Sequence, residues 1–135
     1  MRRFVIASHQ EFALGLRKTV EFLSGKENIY AISAYVDNTP LEKSIKDVFS
    51  EFDKDDEVVI LTDMLQGSVN QKFYPYISEH VHLICGVNVP CAMALTLHPD
   101  DEELTADDIR EIVEESRSQI IYVNEYKNQP NESDE

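Results

Sequence analysis

The chain has 135 residues, enough for one domain with a sizeable hydrophobic core. Its 12 basic and 26 acidic residues give a formal net charge of −14, so its surface repels nucleic acids and anionic membrane surfaces. No apolar run approaches the roughly 20 residues that a membrane span needs, and no signal peptide precedes the first predicted strand. Nucleic-acid binding and direct membrane insertion are therefore not expected.

Near the amino terminus, a short apolar run over residues 3–9 ends in a polar pair, Ser8 and His9. The run has the length of one buried strand. From Gln10 to Leu23 apolar residues recur at helical spacing, which predicts a helix that Gly25 ends. A histidine at the carboxyl end of a first buried strand lies where open α/β sheets bind their ligands. His9 is therefore the first candidate functional residue.

Strands and helices then alternate along the chain. The other predicted strands, each rich in Ile, Val or Leu, cover Ile29 to Val36, Glu57 to Thr62, Val81 to Cys85 and Ile120 to Val123. Four further helices are predicted, beginning near Thr39, Ser68, Pro90 and Thr105. Residues 127–135 have almost nothing to bury, so we expect a disordered acidic tail after one domain of residues 1–126.

This alternation predicts an α/β fold with a doubly wound, mainly parallel sheet and helices on both faces. We expect the strand order 2-1-3-4, with the last strand at an edge. In that order the first and third strands are neighbours whose crossovers leave to opposite faces, which opens a crevice at their carboxyl ends. His9 and Asp63 end these two strands and are predicted to meet there.

The residues predicted to line the crevice suit phosphoryl transfer. A carboxylate that accepts a hydrogen bond from one imidazole nitrogen leaves the other free as a nucleophile, which is a role for Asp63 beside His9. The backbone amides around Gly67 and Ser68, at a helix start, together with the Ser68 hydroxyl, favour a bound anion. Histidine, carboxylate and anion site together indicate that a phosphoryl group is accepted and passed on.

The other histidines and the two cysteines lack such a context. His80, His82 and His98 are interpreted as structural, because the pair at positions 80 and 82 has no evident third metal ligand. Cys85 and Cys91 lie in apolar surroundings without CxxC spacing and are expected to be free thiols in a reducing cytoplasm. No metal and no cofactor are predicted.

Three blocks of residues resemble the enzyme IIA component of mannose/fructose/sorbose-type sugar phosphotransferase systems (PTS). They are FVIASH at 4–9, DMLQGSVN at 63–70 and GVNVP at 86–90, in the family's order and spacing. The resemblance covers about residues 3–126. It implies a cytoplasmic phosphotransferase component, usually a homodimer, that accepts phosphate from the phosphocarrier HPr and passes it to enzyme IIB during sugar uptake.

The resemblance also implies roles for single residues. The phosphorylated histidine falls on His9, the orienting aspartate on Asp63 and the hydroxyl of the glycine-serine loop on Ser68. It further implies that the last strand, Ile120 to Val123, lies antiparallel at the sheet edge and can be exchanged between subunits.

The chain departs from the family pattern at two positions. Gln10 stands where a glycine commonly follows the histidine, and Gln66 replaces the first residue of a common glycine pair. Glycines at such places allow a positive φ or the close approach of a partner. The sugar itself is not readable from the chain, because the membrane subunit of such systems selects it.

Four other functions can be compared with this one. A response-regulator receiver needs an acidic pair after the first strand and a lysine late in the sheet, and both are missing. A flavin-binding domain needs a loop rich in Ser, Thr and Gly after the first strand, which the chain also lacks. The phosphotransfer subunit of a dihydroxyacetone kinase system and a regulatory, non-catalytic relative of enzyme IIA both stay open.

Overall fold

A four-stranded parallel sheet forms the centre of the structure, a computed structural model that describes residues 1–126. Its strands are β1 (Arg2–His9), β2 (Ile29–Ala34), β3 (Glu57–Thr62) and β4 (Val81–Cys85). They lie in the order β2-β1-β3-β4, and all three pairings are parallel. The predicted α/β fold and strand order are therefore confirmed. The tail predicted over 127–135 lies outside the described residues.

Within residues 1–126, five α-helices cover the sheet: α1 (Phe12–Ser24), α2 (Leu41–Phe49), α3 (Ser68–Lys72), α4 (Val89–Thr96) and α5 (Ala106–Arg117). Successive strand residues face opposite sides, so β1 sends Phe4 and Ile6 into a core with α1 and α4, and Val5 and Ala7 into a core with α2 and α3. Both cores exclude solvent, which explains why the central residues of β1, 4–7, and of β3, 58–61, are all apolar. Within residues 1–126, none of the helices combines the length and apolarity that crossing a bilayer requires.

The prediction of an antiparallel edge strand over Ile120–Val123 is wrong. Residues 120–122 have no regular structure, and a 3₁₀ turn follows at Val123–Glu125. The stretch is rich in β-branched side chains, but a strand also needs a neighbour that pairs with its backbone. Here the segment pairs with no strand of the described chain, and its side chains face solvent, with Ile120 77% and Val123 72% exposed.

Helix α3 is also shorter than its sequence pattern predicts. The apolar spacing of Val69, Phe73 and Ile77 suggests two turns or more, but α3 ends at Lys72 and a 3₁₀ turn occupies Tyr74–Tyr76. Pro75 explains the break, because proline offers no N–H to the helix and clashes with the preceding turn. Val69 and Phe73 are buried as predicted, whereas Ile77 is 52% exposed.

Two ion pairs join the amino ends of β1 and β3, the strands that carry His9 and lead into Asp63. Arg2 Nε donates to Glu57 Oε1 at 2.6 Å, and Arg3 Nε donates to Asp56 Oδ2 at 2.9 Å. Arg2 and Glu57 are also direct partners in the β1–β3 register. These contacts hold the two strands in the register that brings their carboxyl ends together.

Substitution of Asp56 tests this strand clamp. The Arg3 guanidinium, followed by the Asp53 main-chain N–H, lowers the pKa of the buried Asp56 carboxyl below its ordinary 3.8. A lowered pKa stabilises the fold above the ordinary value, and this stabilisation is lost as the pH falls through the folded-state value. Asp56→Asn should therefore reduce the free energy of unfolding at pH 7 by about 1–3 kcal/mol. The difference from the wild type should shrink below about pH 4.

The neighbouring Asp55 supplies the control for denaturant unfolding measured at several pH values. Asp55 is exposed, so Asp55→Asn should leave the stability near that of the wild type. Equal stability of the two variants at pH 7 would contradict the assignment of Asp56 to the clamp.

Candidate functional site

His9 and Asp63 meet at the carboxyl edge of the sheet. The pairing of β1 with β3 ends at Ala7 and Thr62, so His9, the last residue of β1, and Asp63, the residue after β3, lie side by side at this edge. One oxygen of Asp63, Oδ2, accepts the His9 main-chain N–H at 2.8 Å and lies 2.8 Å from His9 Nδ1. The aspartate therefore holds both the backbone and the ring of the histidine.

This contact gives the two ring nitrogens of His9 different roles. A carboxylate accepts only, so Nδ1 carries the proton that Asp63 binds, and the neutral ring has its lone pair on Nε2. The His9 side chain is 37% exposed, whereas that of Asp63 is 16% exposed. The His9 ring is therefore partly open to solvent, whereas the carboxylate that binds Nδ1 is largely covered.

The electrostatics of Asp63 agree with an ionised carboxylate. Burial raises the pKa of the Asp63 carboxyl, but the hydrogen bonds from the His9 main chain and ring outweigh burial, and the pKa lies below its ordinary value. The carboxylate is therefore negatively charged at neutral pH. A negative charge at Nδ1 stabilises positive charge that develops on the ring when Nε2 forms a bond.

Gly67 lies against the edge of the His9 ring. A Cβ at Gly67 would be 2.8 Å from His9 Cε1, closer than side-chain atoms pack, and 3.1 Å from Met64 Cγ, which is a tight contact. Its φ of −87° is ordinary, so the close approach, not the backbone angle, requires glycine here. Ser68 follows as the exposed first residue of α3. With five residues, α3 has only a small macrodipole, so amide and hydroxyl groups must supply most of any anion binding.

Two buried polar side chains shape the loops around this pair. Ser8 Oγ accepts the Ala13 N–H at 2.7 Å and so joins the end of β1 to the first turn of α1. Asn70 Oδ1 accepts the Thr62 hydroxyl at 2.8 Å, and Asn70 Nδ2 donates to the Leu65 carbonyl at 3.5 Å. These contacts fix the loop that carries Gly67 and Ser68.

Tyr35 lies beside His9 and Ser68, although the second predicted strand, Ile29 to Val36, includes it. Strand β2 ends at Ala34, because Tyr35 adopts a left-handed backbone with φ of 67°. Its ring centroid lies 5.5 Å from that of His9, and its hydroxyl lies 2.5 Å from Ser68 Oγ. The predicted strand order could have indicated this position, because the residue that follows the second strand lies next to the end of the first.

Gln10 has the conformation that a glycine would adopt easily. Its φ is 56°, which costs a non-glycine residue about 1–2 kcal/mol. Two hydrogen bonds of 2.8 Å offset this cost, from the Gln10 main-chain N–H to the Ala34 carbonyl and from Gln10 Nε2 to the Tyr35 carbonyl. By contrast, Gln66 is exposed and is not among the positive-φ residues, so the backbone at that position does not require glycine.

The remaining histidines and cysteines lie outside the His9 pair. His80 and His82 are at the start of β4, at the opposite end of the sheet, and His98 Nε2 lies 3.1 Å from the Glu103 carbonyl oxygen. Cys85 is half-buried and Cys91 is buried, and both are free thiols. In the part of the chain that the structure describes, no three His, Cys, Asp or Glu side chains form a potential metal site.

Comparison with known proteins gives one family and several similar structures. The family model for the PTS system fructose IIA component matches residues 3–123. A proposed phosphoenolpyruvate-dependent sugar PTS permease from Klebsiella pneumoniae is 31% identical, with a TM-score of 0.84 and 92% of each chain covered. No curated protein matches the sequence significantly.

Two further solved structures share the fold at lower identity. The PTS IIA protein associated with the fucose utilization operon of Streptococcus pneumoniae has a TM-score of 0.77 at 23% identity, covering 91% of this chain and 93% of that one. The mannose/sorbose-specific IIA subunit of Enterococcus faecalis has a TM-score of 0.74 at 12% identity, covering 96% of this chain and 100% of that one. At these identities the likeness concerns the fold alone.

Gly67→Ala tests the tight contact beside the histidine. The added methyl group should displace the imidazole from Asp63, since the ring cannot bend away as a flexible chain end could. We expect the ring ¹⁵N and ¹H resonances of His9 to shift in NMR spectra, with a loss of stability of about 1–3 kcal/mol.

Gly15→Ala is the matched control, because a Cβ there meets no atom within 4 Å. Gly15 lies inside α1, so alanine should raise the stability by about 0.5–1 kcal/mol and leave the His9 resonances unchanged. His9 resonances unmoved by Gly67→Ala would show that the contact does not position the ring.

Proposed function

The chain belongs to the family of PTS system fructose IIA components and is a phosphotransfer subunit of a sugar phosphotransferase system, and on this premise we propose that His9 carries the phosphoryl group. The observation that supports this assignment is the hydrogen-bonded pair of His9 Nδ1 and Asp63 Oδ2, 2.8 Å apart, at a ring that other molecules can reach.

The proposed transfer needs no metal, cofactor or water. The lone pair of His9 Nε2 attacks the phosphorus of phosphorylated HPr, and the N–P bond forms as the bond to the donor atom on HPr breaks. The donor atom leaves with that bond's electron pair. The proton on Nδ1 stays in the hydrogen bond to Asp63, whose charge stabilises the phosphorylated ring. Enzyme IIB then receives the phosphoryl group by the same exchange in a second step.

Gly67 and Ser68 are proposed to bind the phosphoryl oxygens. Cε1 of the His9 ring is bonded to both ring nitrogens, and a Cβ at Gly67 would lie 2.8 Å from it, so the lack of a side chain at Gly67 keeps this edge of the ring unobstructed. The main-chain N–H of Ser68 and its exposed hydroxyl lie in the same loop and are donors for phosphoryl oxygens. The chain has a net charge of −14, and these neutral donors can stabilise the negative charge of a bound phosphoryl group without a basic side chain.

Exposed apolar side chains around His9 suit docking of HPr and enzyme IIB in turn. They come from two loops and a helix start at the carboxyl edge of the sheet, and each is between 46% and 58% exposed: Phe12, Tyr35, Val36, Met64 and Leu65. Apolar and aromatic groups on an otherwise acidic surface are typical of a protein contact. The homodimer and the cytoplasmic location stay predictions, and the mass from light scattering tests the former.

Labelling with phosphorylated HPr tests the role of His9. The wild type should form a phosphoprotein that is labile in acid and stable in base, as a phosphoramidate is, and His9→Ala should abolish the label. The exposed His80 gives the control, and His80→Ala should label like the wild type.

Two results would overturn the assignment. One is label that survives His9→Ala, and the other is an acid-stable acyl phosphate, which would place the group on a carboxylate such as Asp63. A wild type that takes no label from phosphorylated HPr would favour the regulatory, non-catalytic alternative.

A further inference from the structure

The hydroxyls of Tyr35 and Ser68 form a short hydrogen bond, 2.5 Å from Oη to Oγ, beside the His9 ring. Resting on the phosphoryl-carrier function proposed above, we propose that Tyr35 is a positioning residue of the phosphoryl site. Its phenolic O–H donates to Ser68 Oγ and so directs the proton of the Ser68 hydroxyl towards the phosphoryl group on His9.

The chemistry of the two hydroxyls sets the direction of this hydrogen bond. Each hydroxyl has one proton, so one of them donates within the pair and the other keeps its proton for a third group. A phenolic O–H is more acidic than an aliphatic one and is the better donor. When the Ser68 hydroxyl donates a hydrogen bond to a phosphoryl oxygen near His9, Tyr35 is therefore the donor to Ser68 Oγ. Hydrogen bonds in such a chain polarise and strengthen one another.

Three contacts hold Tyr35 in the place that this role requires. Gln10 Nε2 donates to the Tyr35 carbonyl at 2.8 Å, the ring lies 5.5 Å from that of His9, and the hydroxyl contacts Ser68. The left-handed φ of 67° at Tyr35 is unfavourable for a bulky residue and persists only where surrounding contacts determine it. Gln10 thus fixes the backbone from which the hydroxyl reaches the serine.

Without Tyr35, the Ser68 hydroxyl would be free to rotate. Ser68 is exposed at the first position of α3, and its contact with Tyr35 is the only side-chain hydrogen bond found for its hydroxyl within residues 1–126. A rotating hydroxyl loses entropy each time it donates to a phosphoryl oxygen, whereas one already aligned by Tyr35 does not. Removing the phenolic O–H should therefore weaken the hydrogen bond from Ser68 to the phosphoryl group without changing the contact between His9 and Asp63.

A double-mutant cycle with Tyr35→Phe and Ser68→Ala tests the inference. Phenylalanine keeps the ring against His9 and removes only the hydroxyl. In single-turnover transfer from phosphorylated HPr, we expect each single variant to be roughly three- to tenfold slower than the wild type. The double variant should be no slower than Ser68→Ala, because the tyrosine acts through the serine. The ³¹P resonance of the phosphohistidine should move in both single variants.

Tyr30→Phe is the matched control. Tyr30 lies at the other end of β2, where its hydroxyl donates to Glu51 Oε1 at 3.2 Å, so the variant also loses one tyrosine hydrogen bond. We expect its transfer rate and its ³¹P resonance to equal those of the wild type. Thermal unfolding of each variant verifies that the fold is retained.

The possible results separate this inference from the proposed function. A Tyr35→Phe variant as fast as Tyr30→Phe would overturn the role of Tyr35, and so would effects of the two substitutions that multiply in the double variant. A Ser68→Ala variant as fast as the wild type would overturn it as well, while label on His9 would leave the phosphoryl-carrier function intact. Only a wild type without label on His9 would overturn both.

Discussion

A single carboxylate oxygen organises the functional end of this protein. Asp63 Oδ2 accepts hydrogen bonds from the main-chain N–H and from the ring of His9, each at 2.8 Å. The first bond fixes where the strand ends, and the second fixes how the imidazole is turned. Because both involve one oxygen, a shift of β3 against β1 would move the ring as well. The ion pairs of Arg2 and Arg3 at the amino ends of these strands thus also help to position the His9 ring at the opposite end of the sheet.

Much of this arrangement follows from the sequence by general rules. Apolar runs of strand length that alternate with helical patterns predict a parallel sheet, and right-handed crossovers limit the strand order. In the order 2-1-3-4, the ends of strands one and three are neighbours, so His9 and Asp63 are expected in one crevice before any contact is measured. The roles proposed for them follow from the chemistry of imidazole and carboxylate together with the family.

Other features depend on tertiary contacts that local patterns do not contain. Tyrosine has a high β propensity, but contacts with Gln10 and Ser68 hold the backbone of Tyr35 in the left-handed region. Residues 120–123 have high β propensity, but within residues 1–126 they pair with no strand, so propensity alone predicts a strand that is not formed there. The early end of α3 could have been predicted, since Pro75 is visible in the sequence.

Because Asp63 binds Nδ1 of His9, we propose that Nε2 is the nitrogen that accepts the phosphoryl group. The most direct measurement is ¹⁵N and ³¹P NMR of the phosphorylated protein, in which one-bond coupling identifies the nitrogen bonded to phosphorus. We expect phosphorus on Nε2 of His9, with the Nδ1 proton retained in its hydrogen bond to Asp63. Phosphorus on Nδ1, or on any other histidine, would contradict it.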